Sequence, residues 1–266
     1  SRGVFITPPE EGRLAGGDVG KGRLATTENI VEVMAQALQP QTENGSLLGK
    51  HILVTAGGTR EPIDAVRVLA NRSSGKQGHA IALAAASRGA LVTLITTVEM
   101  APARPGISQV QVETAQQMQD AVEKIAPSAD VIVMAAAVAD FRPVPIADGK
   151  WKKEDGVPPI VLEATPDILA GLGKMKRSGQ ILVGFAAETS NLLANAQGKL
   201  ERKNLDLIVA NDVSLPQVGF GHETNAVVII SANDAPMTVE LASKTTIAQR
   251  ILDSVEKSLH RIQEHT

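Results

Sequence analysis

The sequence predicts an α/β fold built on a doubly wound, mostly parallel sheet. Short aliphatic runs alternate with stretches of helical periodicity from about residue 50 onward, which is typical of parallel strands joined by crossover helices. The strand-like runs, such as 131–136, are continuously apolar, so both faces of the sheet should be covered. The first strand runs into a glycine-rich connection, Ala56-Gly57-Gly58. Together these observations indicate a Rossmann-like sheet, to which a flap excursion and a C-terminal hairpin are added.

The predicted elements follow one another at short intervals. The first strand covers 51–55, and a helix follows from about 74 to 88 and ends at Gly89. The next elements are, in order, strand 91–96, a short strand at 110–112, helix 115–125, strand 131–136, a helix from Pro166, strand 181–185, helix 191–204 and strand 207–210. A hairpin of strands 227–230 and 237–241 turns around Asn233-Asp234. The last helix has one apolar face, formed by Ile247, Ile251, Val255, Leu259 and Ile262.

Two segments depart from this regular pattern. Residues 142–163 are rich in proline and carry lysines around Trp151, so we predict an excursion or flap there rather than a helix. Residues 1–49 contain Pro8-Pro9 and Gly16-Gly17 and one helical patch at 30–38. We therefore divide the chain into a tail with linker, 1–49, and one main domain, 50–266.

Composition excludes several classes of function. The net charge of −3 gives no electrostatic basis for binding nucleic acid or an anionic membrane surface. The chain has no cysteine, which excludes disulfides, thiolate metal sites and a cysteine nucleophile and fits a reducing, cytoplasmic location. The longest apolar run, 131–139, is far shorter than the roughly 20 residues that span a bilayer. Any anionic ligand must therefore be bound by local groups.

The first candidate site is the glycine-rich connection with the segment that opens the first helix. Gly57 and Gly58 end the first strand, and 71–78 reads Asn-Arg-Ser-Ser-Gly-Lys-Gln-Gly. Free N–H groups at a helix start beyond the carboxyl end of a strand can bind phosphate. Neither segment has the spacing of the dinucleotide fingerprint or of the Walker sequence. The residues alone leave open whether these glycines bind phosphate or only permit tight turns and close packing.

Three further candidates lie at later strand ends and helix starts. Asp140 follows Ala135-Ala136-Ala137, where small side chains would let a base or ribose approach; a turn residue is the alternative. Thr165-Pro166 begins a helix with exposed N–H groups. Lys150, in the proline-rich excursion, could stabilise charge on phosphorus, although lysine-rich runs are usually solvated.

The last candidate is a pair of lysines after the strand that ends near Phe185. Lys199 and Lys203 are four residues apart, so their ammonium groups lie side by side and repel unless an anion lies between them. The five histidines show no metal-ligand spacing. A zinc site and a serine-hydrolase site are therefore poorly supported.

These segments, in this order, resemble the phosphopantothenoylcysteine synthetase domains of bacterial bifunctional coenzyme A biosynthesis proteins. The resemblance spans nearly all of 50–256. It rests on the segments 55–62, 71–76, 136–142, 150–153, 184–189, 203–207 and 210–212. The tail segment 11–23 resembles the end of the flavin-dependent decarboxylase that precedes the synthetase in such proteins, with Gly16 where that family usually has a cysteine. FMN would belong only to that decarboxylase part, which the chain lacks apart from this segment.

The resemblance implies a two-step ligation of 4'-phosphopantothenate with L-cysteine. CTP activates the carboxylate as an acyl-cytidylate with release of pyrophosphate, and the cysteine amine then displaces CMP. By resemblance, Lys150 stabilises the phosphoryl charge and Asn71 holds the acyl group, with Ala137 also near the substrate. The nucleotide would be bound by Gly57, Gly58, Ser73, Ser74, Gly75, Met134, Ala135, Ala136, Asp140, Lys150, Thr165, Pro166, Asp167, Ile168, Phe185, Lys199 and Lys203. The sequence departs from the family mildly at Trp151 and Thr165, where an aliphatic residue and an asparagine are usual.

The resemblance also implies Mg²⁺ as cofactor and a homodimer, and it identifies neither the metal ligands nor the interface. The choice of CTP over ATP comes from the resemblance, since residue types do not reveal it. Two alternatives remain from the residues themselves. A nicotinamide-dependent dehydrogenase would use the same sheet, but the glycine fingerprint and an acid after the second strand are missing. A non-catalytic nucleotide-binding module would also explain the glycines and the paired lysines.

Overall fold

The structure is a computed structural model that describes residues 7, 9–13, 19–27, 30–31, 34, 45–98, 104–144, 146, 149–152, 154, 156, 159–188, 191–212 and 222–264. Most of the helical patch expected at 30–38 lies outside the described residues. In the tail, strands β1 (Glu10–Arg13) and β2 (Val19–Arg23) form an antiparallel ribbon. Among the described helices, none is both long and apolar enough to cross a membrane.

An eight-stranded sheet with the spatial order β14-β13-β12-β11-β8-β3-β6-β7 forms the centre of the main domain. Its strands are β3 (His51–Ala56), β6 (Leu91–Thr96), β7 (Ile107–Gln111), β8 (Val131–Met134), β11 (Ile181–Glu188), β12 (Leu207–Asp212), β13 (Thr224–Ser231) and β14 (Met237–Ser243). The neighbouring strands β7, β6, β3, β8, β11 and β12 pair in parallel. At the other edge, β13 pairs antiparallel with β12, and β14 pairs antiparallel with β13. The predicted α/β, mostly parallel sheet is therefore confirmed, and the predicted hairpin extends this sheet.

Helices cover both faces of the sheet, as a doubly wound fold requires. They are α1 (Lys76–Ser87), α2 (Ala115–Ile125), α3 (Ile168–Met175), α4 (Leu192–Arg202) and α5 (Lys244–Glu264). In β3, Ile52 and Val54 pack into the core beneath α1 and α5, whereas Leu53 packs into the core beneath α2, α3 and α4. Because successive side chains of a strand point to opposite faces, a continuous apolar run supplies both cores.

Two small ribbons occupy segments that the sequence left without regular structure. Strand β4 (Arg60–Pro62) pairs with β5 (Val68–Ala70), and β9 (Phe141–Pro143) pairs with β10 (Leu162–Ala164). The second ribbon joins the two ends of the excursion predicted over 142–163, because both ends of that segment are strands. Strands of three residues are too short to show a period of two, which explains why they were missed.

Close packing of α1 on β3 fixes the start of that helix against the sheet. A Cβ atom on Gly78 would lie 2.7 Å from both the Ala56 Cβ and the Thr55 carbonyl oxygen. Only a residue without a side chain permits this approach. The first turn of α1 is thereby held at the carboxyl end of β3.

Gly78→Ala should destabilise the domain by about 1–3 kcal/mol, since the new methyl group forces α1 away from the sheet. Urea unfolding monitored by circular dichroism measures this loss. Gly171→Ala is the matched control, because a Cβ there meets nothing within 4 Å and alanine is the better helix former. Equal stability of Gly78→Ala and the unchanged chain would contradict the close-packing account.

Candidate functional site

A cleft of about 460 Å³ lies at the carboxyl ends of the central strands. This edge is where open α/β sheets bind ligands. The predicted site residues that line the cleft are Asn71, Ser73, Ser74, Gly75, Met134, Ala135, Ala136, Ala137, Asp140, Thr165, Pro166, Asp167, Ile168, Phe185, Lys199 and Lys203. Segments that are distant in sequence thus converge on one concave surface.

Three predicted residues do not line the cleft. Gly57 and Gly58 lie behind its wall, where a Cβ on Gly58 would come within 2.7 Å of the Asn71 carbonyl oxygen. A Cβ on Gly75 would lie 3.2 Å from the Gly57 nitrogen. This glycine pair packs closely against the 71–75 segment and so brings that segment against the strand end. Lys150 is exposed and also lies outside the lining.

Buried hydroxyl groups hold the loop after β8, whose residues Ala135–Ala137 form the floor of the cleft. Thr55 Oγ1 accepts a hydrogen bond from the Ala136 N–H (3.1 Å), and Thr59 Oγ1 accepts one from the Ala139 N–H (2.8 Å). Both threonines are fully buried, so these bonds fix the loop that follows β8. The small side chains of this loop leave its backbone open to a flat ligand.

Asn71 reaches across the cleft to the same loop. Its Nδ2 atom donates to the carbonyl oxygens of Ala137 (3.3 Å) and Val138 (3.2 Å). The donors of the amide are therefore engaged by the loop, while its oxygen can still accept a hydrogen bond from a ligand. This arrangement ties the segment before α1 to the loop after β8.

One bank of the cleft, the α3/α4 bank, carries a carboxylate and two lysines. Asp167 caps α3 by accepting from the Ala170 N–H (3.0 Å), and Lys203 Nζ lies 2.8 Å from the Asp167 carboxylate. Burial raises the pKa of Asp167, but the hydrogen bonds from Lys203 and from the Ala170 N–H, together with the positive charges of Lys203 and Lys174, outweigh it and the net shift is downward. Asp167 thus supplies the anion that the pairing of Lys199 and Lys203 calls for, so Lys203 is already compensated before any ligand binds.

The opposite bank, the α1/α5 bank, was predicted from the sequence only in part, because the candidate segment 71–78 includes Lys76 and Gln77, whereas Asn225 and Lys244 were missed. It is formed by Lys76, Gln77, Asn211, Asn225 and Lys244. Asn211 and Asn225 are buried polar residues in strands, and a polar residue within an apolar run was a visible signal. Nothing in the sequence around Lys244 distinguishes it from a solvated lysine at a helix start.

A cluster that we call the latch anchors the segment next to Lys150. The buried Asp64 carboxylate accepts hydrogen bonds from the N–H groups of Val66 and Arg67 (2.8 Å each) and from the Trp151 N–H (3.2 Å). The Arg67 guanidinium pairs with this carboxylate and lies over the Trp151 ring, 5.5 Å from its centroid. Lys150 therefore projects from a fixed point beside the β4–β5 ribbon.

The charge of Asp64 is essential to the latch. The hydrogen-bonded Arg67 guanidinium holds the pKa of the Asp64 carboxyl well below its usual range, against the opposing effect of burial, and the three backbone donors add to the shift. Each of these partners is a donor, so only the ionised carboxylate satisfies them all.

Comparison with known proteins places this cleft in a family context. Residues 47–259 match the model of the DNA/pantothenate metabolism flavoprotein C-terminal domain. The chain is 45% identical over 267 residues to the coenzyme A biosynthesis bifunctional protein CoaBC of Mycobacterium tuberculosis (strain ATCC 25618 / H37Rv), covering 96% of this chain and 63% of that protein. It is 42% identical over 262 residues to a cysteine/cysteine sulfinic acid decarboxylase from an unknown prokaryotic organism, covering 98% of this chain and 73% of the relative.

Solved structures agree with the fold. The crystal structure of the C-terminal domain of a coenzyme A biosynthesis bifunctional protein CoaBC matches with a TM-score of 0.68 and 40% identity, covering 82% of this chain and 99% of that chain. A Cab2 mutant in complex with phosphopantothenate-cysteine matches with a TM-score of 0.65 over 91% of this chain and 96% of that chain. At 19% identity, this second likeness shows the fold alone.

Asp64→Asn should destabilise the domain most at neutral pH. The pKa of the Asp64 carboxyl is lower in the folded chain than in the unfolded chain, where it is about 3.9. The stabilisation that the ionised Asp64 provides is therefore fully present above that unfolded pKa and is lost as the pH falls toward the folded pKa. Urea unfolding at pH 7 and pH 3 measures the difference in the free energy of unfolding between the variant and the unchanged chain. This difference should be smaller at pH 3. Asp120→Asn, at an exposed carboxylate on α2, controls for loss of one charge. A difference in unfolding free energy that stays constant with pH would contradict the claim that the latch depends on the ionised Asp64 carboxylate.

Proposed function

The chain belongs to the DNA/pantothenate metabolism flavoprotein C-terminal domain family, and we propose that it ligates 4'-phosphopantothenate with L-cysteine at the expense of CTP. The products are 4'-phosphopantothenoyl-L-cysteine, CMP and pyrophosphate, so the reaction serves coenzyme A biosynthesis in the cytoplasm. The chain spans 63% of the length of the M. tuberculosis relative, and the activity proposed here is that of the described domain.

The observation that supports this proposal is the division of one cleft into two cationic banks with a small-residue floor between them. Lys199 and Lys203 lie on one bank, and Lys76 and Lys244 lie on the other. A nucleotide and a phosphorylated acid each need a cationic contact, and they must meet end to end for the acid to be activated. The neutral floor, Ala135–Ala137, offers room for the reacting atoms.

In the first step, a carboxylate oxygen of phosphopantothenate attacks the α-phosphorus of CTP. The bond from that phosphorus to the bridging oxygen breaks, and pyrophosphate leaves with the electron pair. Negative charge builds on the phosphoryl oxygens, and we assign Lys150 to stabilise it. Lys150 lies outside the lining in this structure, so this role requires its side chain to reach over the cleft from its position next to Trp151 of the latch.

In the second step, the cysteine amine attacks the acyl carbon of the cytidylate. The bond from that carbon to the phosphate oxygen breaks, CMP leaves, and the amine gives up a proton as the amide forms. Asn71, held by the carbonyl oxygens of Ala137 and Val138, is assigned to orient the acyl group for this attack. A fixed amide suits this role because it needs no reorganisation during the reaction.

The nucleotide is assigned to the α3/α4 bank and the adjoining floor. Met134, Ala135, Ala136 and Asp140 would surround the cytidine, with Phe185 packing beside it. The start of α3, Thr165–Ile168, would bind phosphate oxygens with Lys199 and Lys203. Ser73, Ser74 and Gly75 would contact the nucleotide from the other side, with Gly57 and Gly58 supporting them from behind.

Mg²⁺ fits this cleft only as a partner of the nucleotide. Among the described residues, no group of three or more His, Cys, Asp or Glu side chains is placed to hold a metal ion. Mg²⁺ commonly binds through one or two carboxylates and the substrate phosphates, and Asp140 on the cleft wall is the carboxylate we assign to it. When bound, the ion would neutralise charge on the CTP phosphates.

The other candidate functions have less support. A dehydrogenase would need the glycine fingerprint and an acidic residue after β6, where Thr97 stands. The decarboxylase activity in the name of one relative belongs to that protein, and we propose neither decarboxylation nor FMN for this chain. A non-catalytic nucleotide-binding module would not need the second cationic bank.

We also propose that the chain forms a homodimer through the outer face of the two small ribbons. The ribbons lie side by side through β4 and β9. The exposed apolar side chains in and beside them are Val66, Val68, Leu69, Phe141, Ile160, Val161 and Leu162. A patch of this kind is rare on a monomer, and covering it with a second copy would also satisfy the open strand edges.

Lys150→Gln should bind CTP normally but release pyrophosphate about 100-fold more slowly or worse, because it loses a charge needed only in the transition state. A coupled pyrophosphate assay and CTP calorimetry measure the two effects. Lys152→Gln is the matched control, since Lys152 lies two residues away in the same segment and is 70% exposed. Full activity of Lys150→Gln would contradict the assigned role. A wild-type chain that binds CTP but never releases pyrophosphate would favour the non-catalytic module.

Leu162→Lys should convert the dimer to a monomer, because it places a charge in the apolar interface. Sedimentation velocity measures the mass of each species. Leu193→Lys, at an apolar residue exposed on α4, is the control and should remain dimeric. A dimer that survives Leu162→Lys would place the interface elsewhere, and a monomeric wild type would contradict dimerisation.

A further inference from the structure

Thr59 is a fully buried residue directly behind the floor of the cleft. It is 0% exposed and, among the described residues, is not one of those that line the cleft. Its backbone N–H donates to the Ala137 carbonyl oxygen (3.3 Å), and its hydroxyl oxygen accepts from the Ala139 N–H (2.8 Å). The Ala137 N–H in turn donates to the Gly57 carbonyl oxygen (2.8 Å). The glycine-rich connection therefore holds the loop after β8 by a short extension of the parallel pairing.

One peptide group of this loop, between Val138 and Ala139, is held from both sides. The Ala139 N–H donates to the Thr59 hydroxyl, and the Val138 carbonyl oxygen accepts from Asn71 Nδ2 (3.2 Å). A peptide group is planar and trans, so its N–H and its carbonyl point in opposite directions. The direction of the N–H therefore determines the direction in which the carbonyl faces Asn71. Thr59 thus acts on the Asn71 amide through one peptide plane.

The Ala139 N–H depends on the Thr59 hydroxyl as its acceptor. The hydrogen bond between them is buried, and Ala139 is only 5% exposed, so loss of the hydroxyl leaves a buried donor unpaired. Rotation of the peptide plane would relieve this and would move the Val138 carbonyl away from Nδ2. The Asn71 amide would then keep only its contact with the Ala137 carbonyl oxygen (3.3 Å), and its direction would no longer be fixed.

The next peptide groups of the loop hold the start of α3 instead. The Ala139 carbonyl oxygen accepts from the Thr165 hydroxyl, and the Asp140 carbonyl oxygen accepts from the Thr165 N–H (3.0 Å). These contacts belong to the α3/α4 bank, to which the nucleotide is assigned. They involve different peptide groups from the one that Thr59 holds. Loss of the Thr59 hydroxyl should therefore affect Asn71 far more than nucleotide binding.

We propose that Thr59 is a positioning residue for the second step of the ligation and that it acts through the 138–139 peptide on the Asn71 amide. This inference rests on the proposed ligase function and on the role assigned to Asn71, and it adds a residue that lies behind the cleft wall. The acyl carbon must meet the cysteine amine in one orientation, so a small displacement of the orienting amide slows the reaction strongly. Activation at the α-phosphorus does not use this amide and should not depend on Thr59.

Rapid-quench kinetics of Thr59→Val separate the two steps, because valine keeps the branched shape and removes the hydroxyl. Pyrophosphate should be released at an unchanged rate and with an unchanged KM for CTP. Amide formation and CMP release should slow about 10- to 100-fold, so that the acyl-cytidylate accumulates. Thr59→Ser, which restores the hydroxyl, should restore the second step. Thr96→Val is the matched control, since Thr96 is equally buried and its hydroxyl accepts from the Val98 N–H (3.3 Å) at the neighbouring strand end.

A double-mutant cycle tests the route through Asn71. If both residues act through one peptide plane, adding Thr59→Val to Asn71→Ala should slow the second step no further. Losses that multiply would overturn this route. Equal slowing of pyrophosphate release and amide formation would give Thr59 a merely structural role, and an unchanged second step in Thr59→Val would remove it from positioning; either result overturns the inference.

Hydrogen exchange followed by nuclear magnetic resonance tests the same coupling without turnover and without any change at Thr59, should Thr59→Val fail to fold. The Ala139 N–H should exchange faster in Asn71→Ala than in the unchanged chain, because the peptide is then held from one side only. Thr96→Val should leave this rate unchanged. Equal exchange with and without the Asn71 amide would overturn the inference. A wild-type chain that releases no pyrophosphate would instead overturn the proposed function, whatever the exchange rates.

Discussion

The burial of the parallel strands on both faces determines where this protein can carry polar groups. Strands β3, β8, β11 and β12 use their side chains to fill the two helix-covered cores. The polar groups that could bind a ligand therefore lie at the carboxyl ends of the strands, where the backbone leaves the sheet and N–H groups become free. The floor, the two banks and the latch all lie at or beside this edge, and each depends on the strands beneath it for its position.

The cleft binds anions with local groups, in a chain whose net charge is −3. On the α3/α4 bank, Lys203 is paired with Asp167, so a ligand there meets a cation that is already compensated. On the α1/α5 bank, Lys244 is buried and its ammonium has no partner among the described residues. This asymmetry suits two different ligands, one of which meets a compensated cation while the other meets a preformed positive charge.

The sequence was sufficient to predict the central strands and the helices on both faces, because continuous apolar runs and helical periodicity are visible in short segments. It also predicted most of the cleft lining, because small residues mark the strand ends. It was insufficient for Lys244, whose burial depends on how α5 packs against α1, and for Asp64, whose partners Arg67 and Trp151 come together only in the fold. The two ribbons were missed because their strands are short. The role assigned to Lys150 stays a prediction, since this structure places it outside the lining.

The most direct measurement of the central claim follows the oxygen atoms of the acid substrate. Phosphopantothenate labelled with heavy oxygen in its carboxylate is converted with CTP and cysteine, and the CMP and the pyrophosphate are analysed by mass spectrometry. An acyl-cytidylate requires that one labelled oxygen per turnover appear in the phosphate of CMP and none in pyrophosphate. Label in inorganic phosphate or pyrophosphate, or unlabelled CMP alongside product, would contradict activation of the acid at the α-phosphorus in this cleft.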